Sequence, residues 1–379
     1  MTSGEKGTSE RTTGVDRRRF LQLGGLGVAG AVLAACGGSN GGTTTTLAPG
    51  TTAATGTTAA AASETTTAAG LQANLNSLVL GEWNPNYASQ WGYQLADALG
   101  YMADYGIDTT DYQLSDEYVA GLLGGSLDIA RGDTNVLMGS AFTSGEPITM
   151  MSLYRTSEWQ IMGVREGIET PEDLVGGTIT GGQLEGRNTV VLRNILRSLG
   201  LDPDEDMEFV AMTGASDARL QALLAGTVDA ANLFPRHRAG LEGAGGHFMY
   251  EELEPAPQEG FAAMGPWLEE NGDTASAWIA AELKARTWLL DPANKDEAYQ
   301  LMIDRGFDIP QEFIDQYEVE LEQFSPDGGF ETSEMDDFVE LLVEVGDLPE
   351  GIEWRDHFDP TYLWAAQDEL GLPRRPDSI

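Results

Sequence analysis

The chain has 379 residues, of which 21 are Lys or Arg and 61 are Asp or Glu, a formal net charge of −40. Such a surface repels nucleic acid and anionic headgroups, which argues against both as partners. Cys36 is the only cysteine, so no intrachain disulfide or cysteine-based metal site can form, and His237, His247 and His357 lack zinc-ligand spacing.

Asp16-Arg17-Arg18-Arg19-Phe20-Leu21-Gln22 matches the twin-arginine export pattern, and the Gly/Ala-rich run over 21–35 is too short to span a membrane comfortably. It ends in Leu33-Ala34-Ala35-Cys36, which resembles a lipobox. Residues 1–36 are therefore expected to be a lipoprotein signal peptide. Acylation of Cys36 would anchor the chain on the extracytoplasmic face of the cell membrane. Residues 37–70 are mostly Thr, Ala, Gly and Ser; they cannot offset chain entropy by burial and are expected to form a disordered tether. The chain beyond Cys36 holds 16 basic and 58 acidic residues, a balance suited to saline or alkaline surroundings.

In the folded part, strands are expected over 78–80, 107–114, 127–130 and 148–154, with helices over 91–105, 116–123 and 134–143 between them. A strand over 159–164 leaves this lobe. Thr170 as N-cap and Pro171 start a short helix. Strands over 178–180, 208–212 and 228–234 then alternate with helices over 188–199 and 217–225. A return strand follows over 260–265, and helices over 274–290, 295–305, 310–321, 335–345 and 360–370. This order predicts an α/β fold of two βαβ lobes with mostly parallel sheets. The lobes are joined by a two-stranded hinge, and the C-terminal part is helical. Residues 71–160 would form the first part of lobe I, 161–260 lobe II, and 261–379 the return to lobe I.

Several motifs carry a family resemblance. Trp83-Asn84-Pro85-Asn86 followed by Gly92-Tyr93-Gln94-Leu95-Ala96 is similar to a Trp-x-Pro-Asn loop and its helix. Gly125-Ser126-Leu127-Asp128-Ile129-Ala130 and Ala225-Gly226-Thr227-Val228-Asp229-Ala230 share a small-residue, Asp-bearing entry into a strand. Thr170–Ile179 resembles an Asp-Leu-x-Gly-Lys turn with Gly177 in place of Lys, and Tyr362-Leu363-Trp364-Ala365-Ala366 resembles a closing helix. Together they resemble the periplasmic-type solute-binding proteins of ABC importers that take thiamine-pyrimidine precursors, flavins, nitrate, sulfonates or taurine. The resemblance implies a monomer that captures a small molecule and docks on permease and ATPase subunits, with no cofactor. Ser89-Gln90-Trp91-Gly92 stands where many pyrimidine binders carry a histidine, so transfer of a pyrimidine ligand does not follow directly.

A cleft between lobes needs aromatic faces and a few converging polar groups. The loops after the strands offer Trp83, Asn84, Tyr87, Trp91, Asp133, Thr134 and Asn135 from the first lobe. Tyr154, Arg155 and Trp159 lie near the crossover. The second lobe offers Gly182, Arg187, Asn188, Thr189, Asn232, Phe234 and Arg236. Backbone amides at 187–189 could receive an anion or a ring carbonyl. Trp83 and Trp91 equally fit a core, and Asp133 fits a helix cap. The aromatics favour a flat heteroaromatic ring, pyrimidine- or flavin-like; the arginines favour a small anion such as a sulfonate, nitrate or aromatic carboxylate. A sensor subunit and a pyrimidine-synthase-like enzyme are the remaining alternatives, though no nucleophile–base pair supports catalysis.

Overall fold

The computed structural model describes residues 70–82, 88–114, 117–184, 186–214 and 216–379. The twin-arginine motif, Cys36, the tether and the loop bearing Trp83, Asn84 and Tyr87 lie outside the described residues. The strands are β1 (Ser77–Glu82), β2 (Thr109–Leu114), β3 (Ile129–Asp133), β4 (Ile148–Val164), β5 (Thr178–Gly182), β6 (Glu208–Ala211), β7 (Ala230–Leu233) and β8 (His247–Met264). They form one eight-stranded sheet in the order β2-β1-β3-β8-β4-β7-β5-β6. Pairing is parallel within β2-β1-β3 and within β7-β5-β6, and antiparallel where β4 and β8 join the two halves.

The connection differs from the expected one. The segments over 148–154 and 159–164 are one strand of 17 residues, and the return strand begins at His247 and runs for 18. The two pair along their whole length, from Ile148 opposite Met264 to Val164 opposite His247. The crossing between halves therefore lies inside β4 and β8, not at 160 and 260. Acidic residues at 251, 252 and 254 hid the first half of β8. That half pairs only with β4, so it is a sheet edge whose outward side chains can be charged.

The repeated Asp-bearing motif has one physical role in both halves. Asp128 accepts the amide of Val79 at 2.8 Å, and Asp229 that of Thr178 at 2.7 Å. Each aspartate thus satisfies a backbone donor at or near the start of the neighbouring parallel strand. Buried apolar residues form clusters on both faces of each half. Trp91, Tyr93 and Phe261 sit in the largest, together with Trp278 of helix Gly265–Leu289.

That long helix begins nine residues before the expected start and is kinked at Asn271, where φ is −126°. The expected helix over 91–105 is split into Gly92–Ala98 and Tyr101–Asp104 by Gly100, which adopts φ +79°. The lobe I half of β4 is also an edge, and the C-terminal chain covers it. Leu153 donates to the Gly328 carbonyl at 2.8 Å, Ser325 to Tyr154 at 2.9 Å and Asp359 to Met150 at 2.9 Å.

Candidate functional site

Strand direction places the site. β1, β3 and β4 run the same way, so the ends at Glu82 and Asp133 point toward the second half. β7 is antiparallel to β4 and β5 is parallel to β7, so Gly182 and Leu233 point back toward the first half. Both sets of carboxyl ends face the middle of the ribbon, the position at which open α/β sheets hold ligands. Two helices start there: α1 (Thr134–Ser144) after β3 and α2 (Arg187–Ser198) after β5.

The ribbon is irregular at this point. Register shifts occur between Met150 and Ser152, Leu153 and Arg155, and Arg155 and Ser157. The facing strand carries Pro255 and Pro257, which have no N–H to donate. The Pro257 carbonyl instead accepts from Thr134 Oγ1 at 2.8 Å, tying the start of α1 to the ribbon.

Charged side chains crowd this junction: Arg131, Glu158 and Glu259 are buried, and Asp133, Arg155 and Arg187 half-buried. Arg187 at the start of α2 makes a two-pronged ion pair with Glu158 of β4, at 2.6 and 3.0 Å. Burial pushes the Glu158 carboxyl up, but the charge and hydrogen bonds of Arg187, with Arg155, more than offset this and hold it below the usual range. Arg155 donates to Glu259 at 3.0 Å and also to Gln323; the Tyr154 hydroxyl donates to the same Glu259 carboxylate. Burial raises Glu259 despite the nearby charge of Arg131. Asp133 is likewise raised by burial, against the charges of Arg131, Arg155 and Arg187. Arg187 belongs to the second half and Asp133 to the first, so the charge of Arg187 acts across the gap. Arg131 is 1% exposed, its guanidinium 5.5 Å from the Tyr154 ring centre.

Glu82 closes β1 and is fully buried. Gln94 donates to it, and Arg305 donates to Gln94 at 2.8 Å. Burial pushes Glu82 up to about 8, against the charge of Arg131 and the Gln94 hydrogen bond. Its Oε2 has no hydrogen-bond partner among the described residues.

The expected site residues separate into groups. Asp133, Thr134, Arg155 and Arg187 lie at the junction, whereas Asn135, in the first turn of α1, lines a different cavity with Val119 and Leu123. Gly182, Arg187 and Asn188 line a cavity of about 390 Å³. Thr189 is buried, and its hydroxyl donates to the Gln183 carbonyl at 2.7 Å. Asn232 is buried and engaged by Arg219. Trp91 has no exposed surface; it packs in the core 6.1 Å from the Tyr317 ring. Tyr154 is buried in the same cluster. Trp159, Phe234 and Arg236 are half-buried on the other side of the ribbon: Trp159 donates to the Val319 carbonyl at 3.3 Å, and Arg236 stacks on Phe234 at 5.0 Å. Sequence reasoning passed over Glu82, Arg131, Glu158, Glu259 and Arg219. For the first four the available signal was a charged residue inside or ending a strand; Arg219 lies on the helix Ser216–Leu224 and gave no such signal. Among the described residues, no group of three or more His, Cys, Asp or Glu side chains could hold a metal ion.

Comparison with known proteins agrees with this topology. A curated relative, "Putative binding protein YtlA" of Bacillus subtilis (strain 168), is 23% identical over 69% of this chain and 81% of its own. The periplasmic sulfonate-binding protein SsuA from Methylobacillus flagellatus KT has a TM-score of 0.60 at 17% identity, over 79% of this chain and 96% of that one. The periplasmic nitrate-binding protein NrtA from Synechocystis PCC 6803 has 0.58 at 16%, over 81% and 92%. The fold is shared by the desulfurization enzyme DSZB, with a TM-score of 0.55 at 13% identity over 78% and 100%. At these identities the structural likeness is one of fold. The family model described as NMT1/THI5 like matches residues 87–295, more than half of the sequence, and the chain belongs to that family.

Proposed function

We infer that this chain is the extracytoplasmic solute-binding subunit of an ABC importer, exported by the twin-arginine route and anchored through a lipid on Cys36. It captures a small ligand between the two sheet halves and presents it, closed, to permease and ATPase subunits. One observation carries the reading: the carboxyl ends of β1 and β3 oppose those of β5 and β7 across an irregular, proline-bearing stretch of the β4–β8 ribbon. A ligand touching both halves stabilises the closed form by its differential affinity. The names of the binding-protein relatives support the same class. DSZB shows that the fold also carries catalysis, and one of its structures is of a variant in which a cysteine is replaced by serine. Here the single cysteine, Cys36, belongs to the lipobox, which favours binding.

For the ligand, Trp83 and Tyr87 favour a heteroaromatic ring, pyrimidine- or flavin-like. The second reading, a small anion, draws on the start of α2 and on the sulfonate and nitrate binders among the neighbours. Thermal-shift and calorimetric screening of the full-length protein against pyrimidines, flavins, sulfonates and nitrate tests both. One class is expected to raise the melting temperature and bind stoichiometrically. A flat response to every class would refute the importer reading.

A further inference from the structure

Behind the start of α2 lies a cavity of about 390 Å³ whose walls include Gly181, Gly182, Asn188, Thr213, Gly214 and Arg219. Arg219 projects from helix α3 (Ser216–Leu224) and is 5% exposed. Its Nε donates to the Asn232 carbonyl at 2.7 Å, and its Nη2 to Asn232 Oδ1 at 3.2 Å. Both acceptors are neutral. Among the described residues no carboxylate accepts a hydrogen bond from this guanidinium. The acid nearest in charge, Asp217, is largely exposed and engaged by His237, while Arg236 adds charge of the same sign. The chain has 61 acidic residues, yet among those described none pairs with this buried cation. Burying a charge without its counter-charge is costly.

Nη1 is the one nitrogen of Arg219 with no protein acceptor among the described residues, and it opens on the cavity; a Cβ at Gly182 would lie 3.5 Å from it. The facing wall is the first turn of α2, whose N-cap residue Gly186 has no side chain to satisfy the amides of Arg187 and Asn188. The walls between are backbone. Gly182 and Gly214 adopt φ +109° and +104°, which side chains rarely allow, and a Cβ at Gly181 would meet the Thr189 amide at 2.5 Å. One guanidinium nitrogen of a buried arginine, the first turn of α2 and glycine walls thus line one water-accessible volume.

We propose that this cavity is an oxyanion subsite in which Arg219 reads the charge, so that the captured solute carries a sulfonate, carboxylate or phosphate group. The proposal rests on the solute-binding reading and specifies the ligand's acidic end. The three groups share oxygen acceptors that fit a guanidinium and backbone amides. Asn232 has a different role: it holds the Arg219 fork so that Nη1 faces the cavity.

The test compares sodium sulfate with sodium chloride at matched ionic strength, following the melting temperature of the full-length protein, with sulfate binding measured by calorimetry. Wild type is expected to show a saturable sulfate-specific rise. Arg219→Gln should weaken sulfate at least tenfold, with Arg219→Lys intermediate. Gln183→Glu places a carboxylate on an exposed wall residue without touching the Arg219–Asn232 contacts, and should weaken sulfate similarly; it decides the matter if Arg219→Gln does not fold. An Arg219 that served only to brace β7 would leave the Gln183→Glu response equal to wild type, which overturns the proposal. So does a wild-type response no larger than that to chloride. Binding of a neutral pyrimidine in either of those cases would sink the subsite and spare the solute-binding reading. No response to sulfate or to the full solute screen would sink both.

Discussion

At the residue scale, Glu82 stands out because an ordinary carboxylate terminates an apolar strand with no exposed surface. Its carboxyl is held at about 8 against an ordinary 4.5, so between these values the folded protein keeps a proton that the unfolded chain has lost. Stability contributed by that proton is complete below about 4.5 and is lost as pH rises through about 8. Burial moves Glu259 in the same direction, whereas burial lowers His237 and His357, which oppose it in part. The diagnostic quantity is therefore a difference: Glu82→Gln should flatten the fall in melting temperature between pH 5 and pH 9. Parallel curves for wild type and variant would show that Glu82 does not titrate in that range. Its role could not be read from sequence because a single Glu after Leu80-Gly81 looks like the polar end of a strand. Only the fold surrounds it with Gln94 and Arg131.

At the element scale, the β4–β8 ribbon joins the two halves and is bulged where it passes between them. Gly260 permits one close approach: a Cβ there would meet the Ser152 carbonyl at 2.4 Å and the Leu153 side chain at 2.6 Å. Gly260→Ala should therefore destabilise by about 1–3 kcal/mol, because backbone must move to admit it. Chemical denaturation checks this, and an unchanged midpoint would contradict it. Much of the element order was legible, since alternating short apolar strands and capped helices have strong local signals; Thr170, Pro171 and Asp173 form the expected start of a short helical turn. The ribbon was not legible. Register shifts between Met150 and Ser157, with Pro255 and Pro257 opposite, break the periodicity that marks one long strand. The acidic residues at 251, 252 and 254 interrupt the apolar pattern of β8. The Asp128 and Asp229 motifs were visible as a repeat, but their shared task of capping a neighbouring strand is a long-range contact that one sequence does not display.

At the scale of the whole molecule, a net charge of −40 repels itself in the compact state. Added salt screens that repulsion, so unfolding midpoints should rise between low and molar sodium chloride; falling stability would contradict the self-repulsion account. The two-half α/β architecture and its family were readable because weak motifs occurred in the right order across most of the folded part. The site was only partly readable. Asp133 and Arg187, taken from different halves, lie close enough for the charge of Arg187 to act on the Asp133 carboxyl, whereas Trp91 is fully buried in the core beside Tyr317.

The central claim, that one solute is held by both halves at once, is tested most directly by hydrogen exchange with and without the solute found by screening. Amides at the start of α1 (134–137) and at the start of α2 (187–190) should slow together, with the same dependence on solute concentration. Slowing confined to one helix start, or to neither, would contradict capture between the halves.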